Sequence, residues 1–171
     1  IISRIERDKL FSKYMSGEKQ RIMTGKIADV PFKIKMDSYH PGKAIVDLKI
    51  VRDFQEMWSP EEHAKVKFVE FWGYDFQGAI YQEIERQNSD KRLPFFIAAA
   101  TKEPITDIEV MQIPQDRLDY CLEIVERTAP RFQALKLGIE ENPCRCEKCD
   151  WCKMTKVLTA PIDYRDLNYD G

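Results

Sequence analysis

Asp37, Asp47 and Lys49 are the side chains whose types and spacing best suit a reaction. Two carboxylates brought to one point on a sheet, with the Leu48 backbone carbonyl as a further oxygen, suit a hard cation such as Mg²⁺, with Mn²⁺ as the alternative ion. A lysine beside such a cation can orient an attacking water, help to deprotonate it, or offset charge on a phosphate. Alone, the D-x-K tripeptide reads better as an Asp–Lys ion pair, since that short pattern arises often by chance. The upstream Asp37 and a helix that follows the strands reverse this order.

Residues 32–51 (FKIKMDSYHPGKAIVDLKIV) read as two strands joined by a turn at Tyr39-His40-Pro41-Gly42, where Pro and Gly supply restricted φ angles. Phe32, Ile34 and Met36 share one face of the first strand, with Asp37, Lys33 and Lys35 opposite. In the second, Ala44, Val46, Leu48 and Ile50 alternate with Ile45, Asp47, Lys49 and Val51. An Asp and a Lys in mid-strand are costly to desolvate unless something pairs with them. Pairing the two strands brings Asp37 close to Asp47.

Around this hairpin, residues 5–15 predict one helix and residues 20–27 a strand that turns at Ala28-Asp29. Ser59-Pro60-Glu61-Glu62 predicts a helix start in a connection that could cover the site. Residues 74–87 predict a helix with a Phe76, Ile80, Ile84 stripe, and with Gln77 and Tyr81 at i and i+4 on an adjacent face. Residues 93–100, nearly all apolar, predict a central strand, and 107–112 another. A long helix over 115–137 follows. Leu118, Cys121, Leu122, Val125 and Phe132 mark its buried side, Pro130 kinks or splits it, and Gly138 caps it. His40 and His63 lack partners at ligand spacing and read as turn or surface residues. The order of elements gives an α/β fold with a central mixed sheet flanked by helices.

At 171 residues the chain is expected to be one domain, with a Cys-rich segment at 144–152. No run approaches the ~18 apolar residues of a membrane span. The chain begins Ile1-Ile2 without Met, which reads as a domain lacking N-terminal residues. Its net charge of −2 argues mildly against non-specific wrapping of nucleic acid. Lys33, Lys35, Lys43, Lys65, Lys67, Lys91 and Arg92 could still form a local basic track.

An Asp on the second strand, a D-x-K on the third and a helix bearing Q-x-x-x-Y together resemble the PD-(D/E)xK nuclease superfamily. More narrowly they are similar to its RecB-type branch and to phage-borne RecE-like (exonuclease VIII-like) exonucleases. The resemblance runs over residues 20–155 and rests on Asp37, Asp47, Leu48, Lys49, Gln77 and Tyr81. It implies a restriction-endonuclease-like core, with Asp37, Asp47 and the Leu48 carbonyl binding Mg²⁺ and Lys49 positioning the nucleophilic water. Gln77 and Tyr81 would orient the DNA strand or the other site residues. The implied activity is Mg²⁺-dependent DNA exonuclease, in phage-type recombination or DNA end processing, in the cytoplasm of a bacterial host or encoded by a phage. A single-strand-annealing partner protein and a homo-oligomer come with that analogy, and no membrane does. The family's extra acidic residue or histidine before the first strand has only Glu6 and Glu18 as candidates here, and its Pro-Asp is replaced by Met36-Asp37. The alternative is a nucleic-acid-binding or assembly module that kept the fold without cleaving.

Four of the five cysteines, Cys144, Cys146, Cys149 and Cys152, fall within nine residues, too crowded for a secreted disulfide framework and more in keeping with a reducing cytosol. Thiolates at this spacing suit Zn²⁺ or an iron–sulfur cluster. Some RecB-type nucleases carry such a cluster, completed by a cysteine far upstream that has no counterpart here, and C-x-C reaches poorly round a cluster. An unmetallated turn is the equal alternative, with Arg145, Lys148, Lys153 and Lys156 free to meet phosphate. A zinc-stabilised interaction domain is what the cysteines would give without the strand motif.

Overall fold

Ala28 and Asp29 both take positive φ (48° and 62°), as a two-residue hairpin turn requires if its twist is to match its strands. They join β1 (Glu18–Ile27) to β2 (Val30–His40). The next turn runs over His40-Pro41-Gly42-Lys43, closed by Lys43 N–H donating to the His40 carbonyl at 2.9 Å. It lies one residue later than the sequence predicts, because Pro41 suits the second turn position and Gly42, at φ 67°, the third. Tyr39 and His40 therefore stay in the strand, paired with Ile45 and Ala44 of β3 (Ala44–Val51).

The computed structural model describes residues 1–60, 62–141, 145–147 and 149–167. The chain divides into two compact units, Ile1–Gln133 and Ala134–Gly171. In the first, α1 (Ile2–Arg7) and α2 (Lys9–Tyr14) precede the hairpins. After β3 come a small two-stranded hairpin, β4 (Met57–Ser59) with β5 (Ala64–Val66), then α3 (Phe68–Phe71) and α4 (Tyr74–Ser89). Next are β6 (Phe95–Thr101), β7 (Ile108–Gln112) and α5 (Gln115–Lys136). The main sheet runs β1-β2-β3-β6-β7, with β3 and β6 parallel and the other pairs antiparallel. This is the α/β mixed sheet flanked by helices that the element order predicts.

Alternation along β3 and β6 sends residues to both faces. Ile45, Val51, Phe95, Ile97 and Ala99 pack in a cluster with α4 and α5, while Val46 and Ala98 pack with Phe11 of α2. Each large apolar side chain so buried contributes about 1.5–3 kcal/mol. Gly78 lets α4 approach β6, since a Cβ there would lie 2.6 Å from the Phe95 ring.

Four expectations change. The predicted single helix over 5–15 is two, because extended Asp8 breaks it and accepts the Phe11 N–H to cap α2. In place of the helix start expected at 59–62, Ser59 ends β4 and its Oγ accepts the Glu62 N–H at 3.2 Å, while Glu61 lies outside the described residues. Pro130 lies inside α5 without splitting it, and Phe132 is 68% exposed, beyond Ala129, the last residue of that helix to reach the core. On α4 only Ile84 of the predicted stripe is fully buried. Polar Asp75, Gln82 and Glu85 are buried instead, each held by a partner: Arg117, the Leu93 carbonyl and the Tyr39 hydroxyl. Of the supposed basic track, Lys67 is paired with Glu56 and Arg92 with Asp119.

Candidate active site

The β2–β3 ladder opens at the carboxylates. Its last pair is Ser38 with Val46, and beyond it the Leu48 N–H donates not to a backbone carbonyl but to Asp37 Oδ2, at 3.0 Å. Asp37 therefore stands in the plane of the sheet, between strands that have parted. The regular alternation of β2 slips here too, since Met36 and Tyr39, three residues apart, join the same core cluster. Opposite Asp37, Gln20 adopts a left-handed φ of 55°, and its Nε2 donates to Asp37 Oδ1 at 2.9 Å. A non-glycine residue there stores roughly 1–3 kcal/mol of strain, which the pairing of β1 with β2 on both sides holds in place.

Asp47 projects towards α4 and is only 3% exposed. Gln77, from the first turn of α4, uses both ends of its amide: Nε2 donates to Asp47 Oδ1 at 3.0 Å, and Oε1 accepts from Lys49 Nζ at 2.7 Å. Lys49 Nζ also lies 2.6 Å from Asp47 Oδ2 and 4.3 Å from the centre of the Tyr74 ring. Apart from this ion pair, the buried Oδ2 has no other hydrogen-bond partner among the described residues. Burial raises the Asp47 carboxyl above the ordinary carboxylate range and the Asp37 charge adds to the rise, while Lys49 and Gln77 oppose it. A buried carboxylate beside a second carboxylate is a hard-oxygen donor set that fits a small divalent cation.

Tyr81 is placed differently from expectation. Its hydroxyl donates to the Lys35 carbonyl at 3.0 Å and its ring meets Phe95 edge-on, so it braces β2 just before Asp37 and does not reach the carboxylates. Glu18 pairs with Tyr39 at the start of β1 and Glu6 lies on α1, both exposed to solvent. Two residues of the site escape the sequence reading. Tyr74, three before Gln77 on the same helical face, could have been found from that spacing. Gln20 could not, because nothing in its type announces a left-handed φ.

A family model described as a PDDEXK-like domain of unknown function matches residues 1–155. The chain belongs to this PDDEXK-like family. Its fold is that of a crystal structure titled as a putative exonuclease from Eubacterium rectale, with a TM-score of 0.86 and 48% identity over 99% of this chain. The chain spans 64% of that protein's length. No curated protein matches.

The second unit of the PDDEXK-like chain carries Cys146 and Cys149 just before α6 (Asp150–Met154), with Cys149 its N-cap, and Cys152 within it. Cys144 lies outside the described residues. The sulfurs of Cys146, Cys149 and Cys152 all fall within 4.8 Å of one another. Cys149 N–H points to Cys146 Sγ at 3.3 Å, and Cys152 N–H to Cys149 Sγ at 3.5 Å. Arg145 braces the loop, donating to the Cys152 carbonyl at 2.7 Å and stacking on Trp151. Three thiols gathered in this way suit a soft metal.

Proposed function

We propose that this chain is the hydrolytic part of a DNA exonuclease that uses a divalent metal, Mg²⁺ or Mn²⁺, to cleave phosphodiester bonds. The observation that carries this reading is the buried Asp47 carboxylate, only 3% exposed, set beside Asp37 and the Lys49 ammonium. Asp37, Asp47 and the Leu48 carbonyl would hold the cation. When bound, it polarises the phosphate and lowers the pKa of water. Lys49, fixed by Gln77 and half-shielded by Tyr74, keeps its ammonium where charge builds on phosphorus-bound oxygens, or where the attacking water must be oriented. Asp37 can accept Leu48 N–H and still offer lone pairs, so one carboxylate serves both strand and cation.

The test is nucleotide release from linear, circular and single-stranded DNA across a Mg²⁺ titration. Asp47→Asn, which keeps shape and removes charge, is expected to abolish metal-dependent cleavage while leaving most DNA binding, which draws on many phosphate contacts. Full activity in that variant would sink the mechanism. Inactivity of the unmutated chain on every DNA form would favour the non-cleaving module, for which the close Lys49–Asp47 pair would be only structural.

A second centre is proposed at Cys146, Cys149 and Cys152, holding zinc or an iron–sulfur cluster, because their sulfurs already converge. Anaerobic purification and metal analysis test it, and absence of both iron and zinc removes it without touching the nuclease reading.

A further inference from the structure

Beyond Lys49, β3 runs on into a cleft of about 320 Å³ whose lining includes Val51, Arg52, Asp53, Trp72, Tyr74 and Lys102. Tyr74 joins this cleft to the carboxylate site, for the same ring lies 4.3 Å from Lys49 Nζ. Lys102 is brought there by its backbone N–H, which donates to the Val51 carbonyl at 2.9 Å. Among the described residues of the lining the one acid, Asp53, is engaged by Arg52 Nε at 2.7 Å, which holds its carboxyl below the ordinary range. Trp72 is 56% exposed at the rim, braced edge-on by Phe71. An indole so exposed offers a flat apolar face to a planar partner.

The Lys102 ammonium, the Arg52 guanidinium shared with Asp53, one flat aromatic face and a cavity of this size match the parts of one nucleotide. The spacing agrees, because Val51 is two residues past Lys49 on the same strand face, ~7 Å, about the reach of one extended nucleotide. We propose that this cleft seats the nucleotide next to the scissile phosphate, with its base on Trp72 and its phosphate near Arg52 and Lys102. Hydrolysis adds water across one P–O bond, giving a phosphomonoester and an alcohol, so the cleft is also where a released nucleoside monophosphate would stay. Stacking tolerates any base, so the cleft takes all four. The location relative to the cut rests on the nuclease reading; the binding chemistry does not.

The experiment is calorimetric titration, in EDTA, of the whole chain with the 5′- and 3′-monophosphates of deoxyadenosine, with deoxyadenosine and with inorganic phosphate. At least one monophosphate should bind, about tenfold or more tighter than either fragment alone. Trp72→Leu should weaken it by about tenfold, the effect of ~1–3 kcal/mol of lost stacking. Lys102→Gln, a surface change that leaves the fold intact, should weaken it several-fold and lower inhibition of cleavage by the same monophosphate. No binding, or binding unchanged in both cleft variants, overturns the proposal even if DNA is cleaved. Trp72-dependent binding by a chain that cleaves no DNA would keep the cleft and discard the nuclease.

Discussion

Gln77 holds Asp47 and Lys49 in place. Its amide can donate to Asp47 and accept from Lys49 only in one orientation, so it fixes the geometry of a carboxylate and an ammonium already in contact at 2.6 Å. Gln77→Leu keeps the size of the side chain and removes both bonds. Cleavage should fall roughly 10- to 100-fold, the usual effect of losing a group that orients a metal ligand, while the folded content by circular dichroism is unchanged. An unaltered rate across the Mg²⁺ titration would show that Gln77 is only packing. The D-x-K and the Q-x-x-x-Y were legible because residue type and spacing carry them. Tyr81 was half legible: the sequence puts it on the correct helix, but whether a tyrosine reaches a carboxylate or a backbone carbonyl depends on how far the helix slides along the sheet.

At the scale of elements, α4 sits close to β6 because Gly78 has no side chain. Gly78→Ala would gain ~1 kcal/mol of helix propensity, yet its Cβ would meet the Phe95 ring at 2.6 Å and Leu118 at 3.0 Å. Overpacking of this kind costs ~1–3 kcal/mol, so a net loss is expected, read as a lower urea midpoint. A raised midpoint would mean that α4 can back away from the sheet. The sheet and its helices followed from period and punctuation: the strands over 20–27 and 93–100 lie within a few residues of β1 and β6. The splitting of residues 5–15 at Asp8 and the β4–β5 hairpin were illegible for a common reason. Both depend on a short polar side chain bonding to nearby backbone, a choice that residue periodicity does not record.

For the whole molecule, two groups tie stability to alkaline pH. Burial, together with the Glu85 carboxylate it donates to, pushes the Tyr39 phenol up to about 12 from 10.0. Burial, together with Asp75, pushes the Cys121 thiol to about 12 from 9.0. Between the ordinary and the raised values the unfolded chain releases protons that the folded chain keeps. Stability is therefore full below about pH 9 and is lost as pH climbs towards 12. Tyr39→Phe should flatten the part of this decline above pH 10 in thermal melts, at the expense of ~1–3 kcal/mol for stranding the buried Glu85 carboxylate. An unchanged decline would assign the alkaline loss elsewhere. The parallel pairing of β3 with β6 also imposes an order in time. The two hairpins that carry Asp37 and Asp47 close locally, within ~1–10 μs, but β3 cannot meet β6 until β4, β5, α3 and α4 have been spanned. On the proposed nuclease reading, a chain emerging from the ribosome would gather its carboxylates early and stay harmless to the surrounding nucleic acid until α4 docks and Gln77 sets Lys49. Pulse-labelled hydrogen exchange during refolding should then show the Leu48 amide protected before those of β6, with catalytic competence arriving last.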